Sequence, residues 1–185
     1  MATDTTKRKL AHTLREMMTT TALEHITISA LTKKAGVTRN TFYYHFEDIY
    51  SLLAWIYEQE IIVQMANYAQ ITEWQKALRM LLDYIDDNRS FCVASFNSVG
   101  RDLLEQLLAT VADSLVRRVV NDADPSLAKP LTDDICNFYG LAIVAQIIQW
   151  LMKGLAEPKQ AIVHRCDIML TGAVQNAIHN ANTLR

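Results

Sequence analysis

Apolar residues recur every three or four positions along most of the chain, which is the spacing of one face of an α-helix. Only five glycines and three prolines interrupt the 185 residues, and no segment sustains the apolar-polar alternation of a strand. We therefore expect an all-α protein. The pattern predicts helices over residues 5–24, 48–68, 72–88, 90–96, 103–120, 132–155 and 158–181, and two short helices within residues 26–46.

Residues 26–46 carry the most distinctive pattern. Five apolar residues can turn inward on two short, crossing helices: Leu31, Ala35, Val37, Phe42 and Phe46. Thr27 and Thr38 can each cap a helix, and Gly36 can take the positive φ that is closed to most residues. The segment predicts a helix-turn-helix. Together with the first helix, this motif predicts a three-helix DNA-binding head over residues 1–48, followed by a helical body over residues 49–185. The alternative to a DNA-binding motif is a pair of helices that only packs within an all-α protein.

The second helix of this motif presents polar and aromatic residues outward. Arg39 can bond a guanine edge and Asn40 can pair with adenine, although either could contact phosphate alone. Tyr43 and Tyr44 follow, and we expect Tyr44 to be the more exposed because position 43 lies beside the core stripe.

Charge is distributed unevenly along the chain. The whole chain has a net charge of −2, but residues 1–50 hold seven Lys and Arg against five Asp and Glu, a net +2. The asymmetry favours an N-terminal DNA face. Because +2 is modest, phosphate binding must use every available cation and hydroxyl. The candidates are Lys7, Arg8, Lys9, Lys33, Lys34 and Arg39, with the capping residues Thr27 and Thr38 as secondary donors.

The segment ITISALTKKAGVTRNTFYYHF, followed by an acidic residue and a leucine-rich helix, resembles the signature of the TetR family of bacterial transcription regulators. The resemblance implies that Tyr43, Tyr44 and His45 bond backbone phosphates of operator DNA. It also implies that residues 49–185 dimerise and bind a small-molecule effector, with the last two helices of each chain forming a four-helix bundle across a twofold axis.

Two positions depart from the family pattern. Thr32 stands where the family usually has alanine, and it fits if its hydroxyl finds a backbone carbonyl. Ile49 stands near the point where the family commonly carries a lysine that touches a phosphate. We expect one positioning contact to be missing there, unless Ile49 is itself buried under the recognition helix.

The two last predicted helices have apolar faces wider than one partner helix would cover, which fits the implied dimer; a fully intramolecular bundle is the alternative. Phe138-Tyr139-Gly140, together with Trp150, Gly154 and Pro158, weakly resembles a subgroup of the family that includes activators of dihydroxyacetone kinase operons.

Pocket residues are harder to identify, because any helical bundle has aromatic residues at core spacing. Six residues together provide a large apolar area with a few polar groups, and we take them as candidate effector contacts: Tyr84, Phe91, Phe96, Phe138, Gln146 and Trp150. Core packing is the alternative for each. No Cys and His cluster has the spacing of metal ligands, so we expect neither a metal nor another cofactor.

Cys92, Cys136 and Cys166 are odd in number and widely spaced, as in reduced cytosolic proteins. The N-terminus lacks the apolar region of a signal peptide. The apolar run over residues 141–152 is short and contains two glutamines, so we expect no membrane span. These features predict a cytoplasmic protein.

We interpret the chain as a homodimeric transcription regulator, a repressor released from its operator by a small-molecule effector. An activator or co-regulator of the same fold, acting with a partner protein, is the first alternative. An enzyme in a helical bundle is a remote one, because the sequence has no Glu-x-x-His pair, glycine-rich phosphate loop or nucleophile site.

Overall fold

The computed structural model of the protein describes residues 2–62, 74–98 and 100–183. All regular elements among these residues are helical, which confirms the predicted all-α class. The α-helices are α1 (Ala2–Met18), α2 (Ile28–Ala35), α3 (Arg39–His45), α4 (Ile49–Tyr57), α5 (Trp74–Asp87), α6 (Arg89–Phe96), α7 (Arg101–Ala123), α8 (Lys129–Met152), α9 (Lys159–Leu170) and α10 (Ala173–Thr183).

The described residues divide into two compact units. The first unit lies within residues 1–64 and 88–104, and the second within residues 65–87 and 105–185. The predicted boundary after residue 48 remains a prediction about which part of the chain folds independently.

In the first unit, α1 packs against α2, α4 and α6. Leu10, Leu14, Leu31, Phe42 and Leu52 are fully buried in its core. The first helix was predicted to reach residue 24 but ends at Met18. The hydroxyls of the next two threonines bond back to the carbonyls of Glu16 and Met17, an alternative to helix continuation that threonine favours.

The helix predicted from residue 48 starts there as α4, with Asp48 as its cap in a capping box with Ser51. After Tyr57 the α-helix changes to a π-helical turn, Glu58–Ile62. The predicted continuation to residue 68, and the first two residues of the helix predicted over residues 72–88, lie outside the described residues. Arg15 of α1 bonds Glu60 of the π-helical turn and Asn88 before α6, so three elements of the first unit meet at one side chain.

In the second unit, α5 packs along α9 through polar pairs. Lys159 bonds Asp83 at 2.7 Å and Asp86 at 3.1 Å, and Gln75 donates to Asp167 at 2.8 Å. Apolar residues of α7 and α8, including Leu115, Ile143 and Ile147, are buried in this unit.

Two predicted helix boundaries were wrong. The helix predicted to start at residue 132 already begins at Lys129, with Pro130 in its first turn, a position that suits proline. Thr132 is a buried residue of the helix. The last predicted helix is broken in two, because Thr171 has an extended backbone and Gly172 has a φ of +77°. The predicted end of α8 near residue 155 is close to the observed end at Met152, and Gly154 follows with a φ of +62°.

Helix α8 is 24 residues long and apolar on most sides. By length and composition alone it could cross a membrane, and the core helices of soluble proteins meet the same criterion. The apolar part of α8 is therefore longer than the run of residues 141–152 that the sequence predicted. Some of its apolar residues are buried and others are exposed.

Candidate nucleic-acid interface

The helix-turn-helix geometry follows from capping residues at both helices. Thr27 accepts a hydrogen bond from the Ala30 amide at 3.1 Å, and Thr38 accepts one from the Thr41 amide at 3.1 Å. Each threonine satisfies an amide that the first turn of a helix leaves unpaired. Both predicted caps are confirmed. Both threonines are also exposed to solvent, and each lies directly before the N-terminus of a helix.

Gly36 makes the turn between α2 and α3 with a φ of +61° and a ψ of +40°. Its amide bonds the Lys33 carbonyl at 3.2 Å, and the Val37 amide bonds the Thr32 carbonyl at 3.0 Å. A Cβ at position 36 would lie 3.6 Å from the Lys9 ammonium nitrogen, so a side chain of α1 covers this turn. The left-handed backbone makes glycine the suitable residue here.

Thr32 is buried and donates to the Ile28 carbonyl at 2.8 Å. This confirms that the threonine is accommodated through a backbone hydrogen bond inside its own helix.

Helix α3 buries Phe42 and presents its other face to solvent. Arg39 and Asn40 are exposed in its first turn. Tyr44 is 79% exposed and Tyr43 50%, which confirms the expected order. The two tyrosine hydroxyls and the arginine lie on a helix that has the dimensions to enter a major groove.

His45 is half-buried at the end of α3, and its ring meets Tyr44 edge to face with 4.9 Å between ring centroids. Lys33 and Lys34 are exposed near the end of α2. Lys34 lies 3.3 Å from the Glu16 carboxylate of α1. This pairing could not be predicted from the sequence, because Glu16 and Lys34 are brought together only by the packing of α1 on α2.

Ile49, the first residue of α4, is only 9% exposed and belongs to the core. The structure therefore corrects the expectation that position 49 faces a phosphate and has merely lost a charge. Next to it Tyr50 is 40% exposed.

The six predicted effector contacts are distributed over both units. Phe91 and Phe96 are buried in the first unit, where the guanidinium carbons of Arg15 and Arg101 lie 4.7 Å and 4.5 Å from their respective ring centroids. Tyr84 lies half-buried on α5 of the second unit.

The other three predicted contacts lie on α8. Phe138 is 71% exposed. Gln146 accepts from Arg165 at 2.8 Å, and the buried Trp150 donates to the Glu157 carbonyl at 2.8 Å. The polar groups of Gln146 and Trp150 thus link α8 to α9 and to the segment between the two helices.

An apolar cavity of the second unit is lined by none of these six residues. It is lined by Trp74, Leu115, Val116, Val119, Tyr139, Ile143, Leu170 and Val174. Sequence reasoning missed this set because its members come from five helices and differ little from ordinary core residues. Within the described part of the chain, no group of three His, Cys, Asp or Glu residues is placed to hold a metal ion.

An all-α chain whose capped helix-turn-helix exposes arginine, asparagine and tyrosine has the form of a DNA-binding transcription regulator. A TetR-family model described as "Transcriptional regulator C-terminal region" matches residues 72–172, more than half of the sequence. The chain belongs to the TetR family of transcription regulators.

Similar proteins include regulators of both signs. The HTH-type dhaKLM operon transcriptional activator DhaS of Lactococcus lactis subsp. lactis (strain IL1403) is 26% identical over 153 residues, which cover 80% of this chain and 81% of that protein. The solved structure of the dihydroxyacetone kinase operon activator DhaS has a TM-score of 0.73 at 22% identity, over 92% of this chain and 96% of that one.

A second solved structure is that of NalD, the secondary repressor of the MexAB-OprM multidrug efflux pump in Pseudomonas aeruginosa. It has a TM-score of 0.61 at 14% identity, covering 90% of this chain and 94% of NalD. At these identities the two structures show a shared fold.

Proposed function

We propose that this regulator binds operator DNA as a homodimer, with α3 of each subunit in the major groove, and that it represses transcription until a small-molecule effector releases it. The observation that carries the proposal is the exposed polar face of α3, where Arg39 and Asn40 stand in the first turn above a buried Phe42. An arginine at this place can bond two acceptors of guanine at once.

Phosphate contacts come from the rim of the same surface. Lys33, Lys34 and the hydroxyls of Thr27, Thr38, Tyr43 and Tyr44 are exposed there, with His45 half-buried. These groups position the head without selecting a sequence, because phosphates are the same at every base pair.

The dimer forms through α8 and α9. Phe138, Leu141 and Met152 of α8 are exposed to between 54% and 71%, and Ile168 and Met169 of α9 to 62% and 70%. We call these five residues the exposed apolar stripe. The α8 members recur at helical spacing, so they form one face that a second copy of the chain can cover.

Transcriptional activation is a second candidate function. It is favoured by the similarity of this chain, over four fifths of its length, to an operon activator. Both candidates regulate transcription on DNA, without bond making or breaking, in the cytoplasm of a bacterium.

Selection of genomic fragments from the source bacterium tests the proposal. The purified protein should retain a small set of fragments that share a twofold-symmetric sequence, and Arg39→Ala should retain them less strongly and with a relaxed preference at one base position in each half-site. A promoter fusion carrying the selected sequence then gives the sign: higher expression without the regulator indicates repression, and lower expression indicates activation. Uniform retention of unrelated fragments would contradict operator recognition.

A further inference from the structure

The apolar cavity of the second unit has a chemistry that restricts what can enter it. None of its eight lining residues is charged, and Leu115, Val116, Ile143 and Val174 are buried aliphatic residues. Polar groups come from two half-buried aromatic side chains, Tyr139 and Trp74. A charged ligand would lose its hydration here without gaining a counter-charge, so the lining selects against ions.

The Tyr139 hydroxyl is only loosely engaged. It donates to the Ala173 carbonyl at 3.3 Å, beyond the usual range of an O–H···O hydrogen bond. A ligand with a hydrogen-bonding group can replace this weak partner at little cost.

The cavity volume is about 30 Å³, which is enough for water but not for a small organic ligand. A ligand therefore enters only if part of the wall moves outward.

Helix α10 is the part of the wall that is least fixed by packing. Val174 is its one fully buried residue, and it lines the cavity. The helix is joined to α9 through Gly172, whose φ is +77° and whose missing Cβ would meet nothing within 4 Å. Because glycine tolerates a wide range of backbone angles, a change at Gly172 can move Val174 away from the cavity.

We infer that this cavity is the effector site, and that it takes an uncharged, largely apolar small molecule with one hydrogen-bonding group for Tyr139. The inference rests on the proposed ligand-controlled function. Leu170 lines the cavity at the end of α9 and directly follows Ile168 and Met169 of the exposed apolar stripe. A ligand that displaces Leu170 therefore acts on the helix that carries part of the proposed dimer contact.

N-Phenyl-1-naphthylamine, an uncharged fluorescent probe with one N–H group, tests the site on the full chain. Its emission should rise saturably to one site per chain. Anilinonaphthalene sulfonate, which adds a sulfonate to the same skeleton, should bind about tenfold more weakly because of the uncompensated charge. Tyr139→Phe should weaken the uncharged probe about fivefold through the lost hydrogen bond.

Val116→Phe fills the cavity and should weaken the uncharged probe about tenfold or more by steric exclusion. Ser114→Phe adds the same ring two residues earlier, at an exposed position of α7, and should bind the probe as the parent does. Melting curves show whether both variants fold. If Val116→Phe does not, Val119→Ile adds a single methylene to the lining and should weaken the probe about threefold.

Equal probe affinity in the parent and in the folded cavity variants would overturn the assignment, and so would stronger binding of the sulfonate. Operator titration of the same samples should show weaker DNA binding when the uncharged probe is saturating, and unchanged operator affinity would overturn the effector role of the cavity. A protein that retains no operator at all contradicts the proposed function instead, since the probe measurements do not depend on DNA.

Discussion

The residues that shape the DNA-binding head act mostly over short distances along the chain. Thr27, Gly36, Thr38 and Asp48 each form a cap or a left-handed turn, which depends on two to four neighbouring residues. The pairing of Lys34 with Glu16 and the burial of Ile49 depend instead on how α1 and α4 pack.

Replacing Arg39 by alanine should weaken operator binding by about 1–3 kcal/mol and relax the preference at one base position in each half-site. Lys33→Ala is the matched control, because a phosphate contact should weaken all sequences evenly. Competition binding against single-base operator variants distinguishes the two. Unchanged sequence preference in Arg39→Ala would assign that side chain to a phosphate.

Ile49→Lys should destabilise the protein by about 2 kcal/mol, because the ammonium group is placed where an apolar side chain is buried. Tyr50→Lys introduces the same charge at a position that is 40% exposed, and should change the melting temperature little. Thermal unfolding of the two variants tests the difference. If Ile49→Lys melts like the parent and steepens the salt dependence of DNA binding, position 49 faces a phosphate after all.

Burial raises the pKa of the Cys92 thiol from 9.0 to about 12 in the folded protein. Below pH 9 the thiol is neutral in both states and stability does not depend on it; above pH 9 only the unfolded chain ionises, so the free energy of unfolding falls until about pH 12. Cys92→Ala removes this contribution. Denaturant unfolding between pH 8 and about 10 should show a shallower loss in the variant, and parallel curves would indicate an ordinary thiol pKa.

At the scale of helices, periodicity predicted the elements well and their ends less well. The break at Thr171 and Gly172 was missed because the apolar spacing continues across it, and a single glycine does not by itself end a helix. The start of α8 was placed too late because Pro130 and its preceding lysine lack the polar cap that usually marks a helix start.

Two glycines of the second unit should respond to alanine with opposite signs. Gly154 has a φ of +62° and open space around it, so Gly154→Ala should cost about 1 kcal/mol from backbone strain alone. Gly140 lies inside α8, where an added Cβ would make ordinary contacts of 3.6 to 3.8 Å with the α7 backbone and Ala112. Gly140→Ala should therefore stabilise by about 0.5–1 kcal/mol.

Chemical unfolding of the two glycine variants provides the measurement. A loss of stability in Gly140→Ala would show that α7 and α8 lie closer together than these distances indicate. No loss in Gly154→Ala would show that the turn after α8 can leave the left-handed conformation without cost.

At the scale of the whole molecule, the sequence predicted the family and the fold class but not the apolar cavity of the second unit. The cavity is made by residues of five helices, and which of them meet depends on helix packing that periodicity does not specify. The apolar surplus of the last helices was visible in the sequence. The structure adds which residues remain exposed on α8 and α9.

Met169→Glu should convert the proposed dimer to monomers and reduce operator affinity at the same time, because a carboxylate would be buried at the twofold contact. Gln160→Glu adds the same charge on an exposed position of the same helix, beside α5, and should remain dimeric. Analytical ultracentrifugation at micromolar concentration measures both. A dimeric Met169→Glu would place the subunit contact on another surface.

The weak positive charge of the head has a consequence for how the regulator searches a genome. The Glu16 carboxylate partly neutralises the positive charge of Lys34, and the apolar Ile49 adds no positive charge at the start of α4. Both features lower attraction to every stretch of duplex equally, while the discrimination supplied by base-edge contacts is unaffected. Because millions of unrelated sites compete for each molecule, a head that adheres poorly to all of them spends less time trapped and is more available to the few sequences it reads.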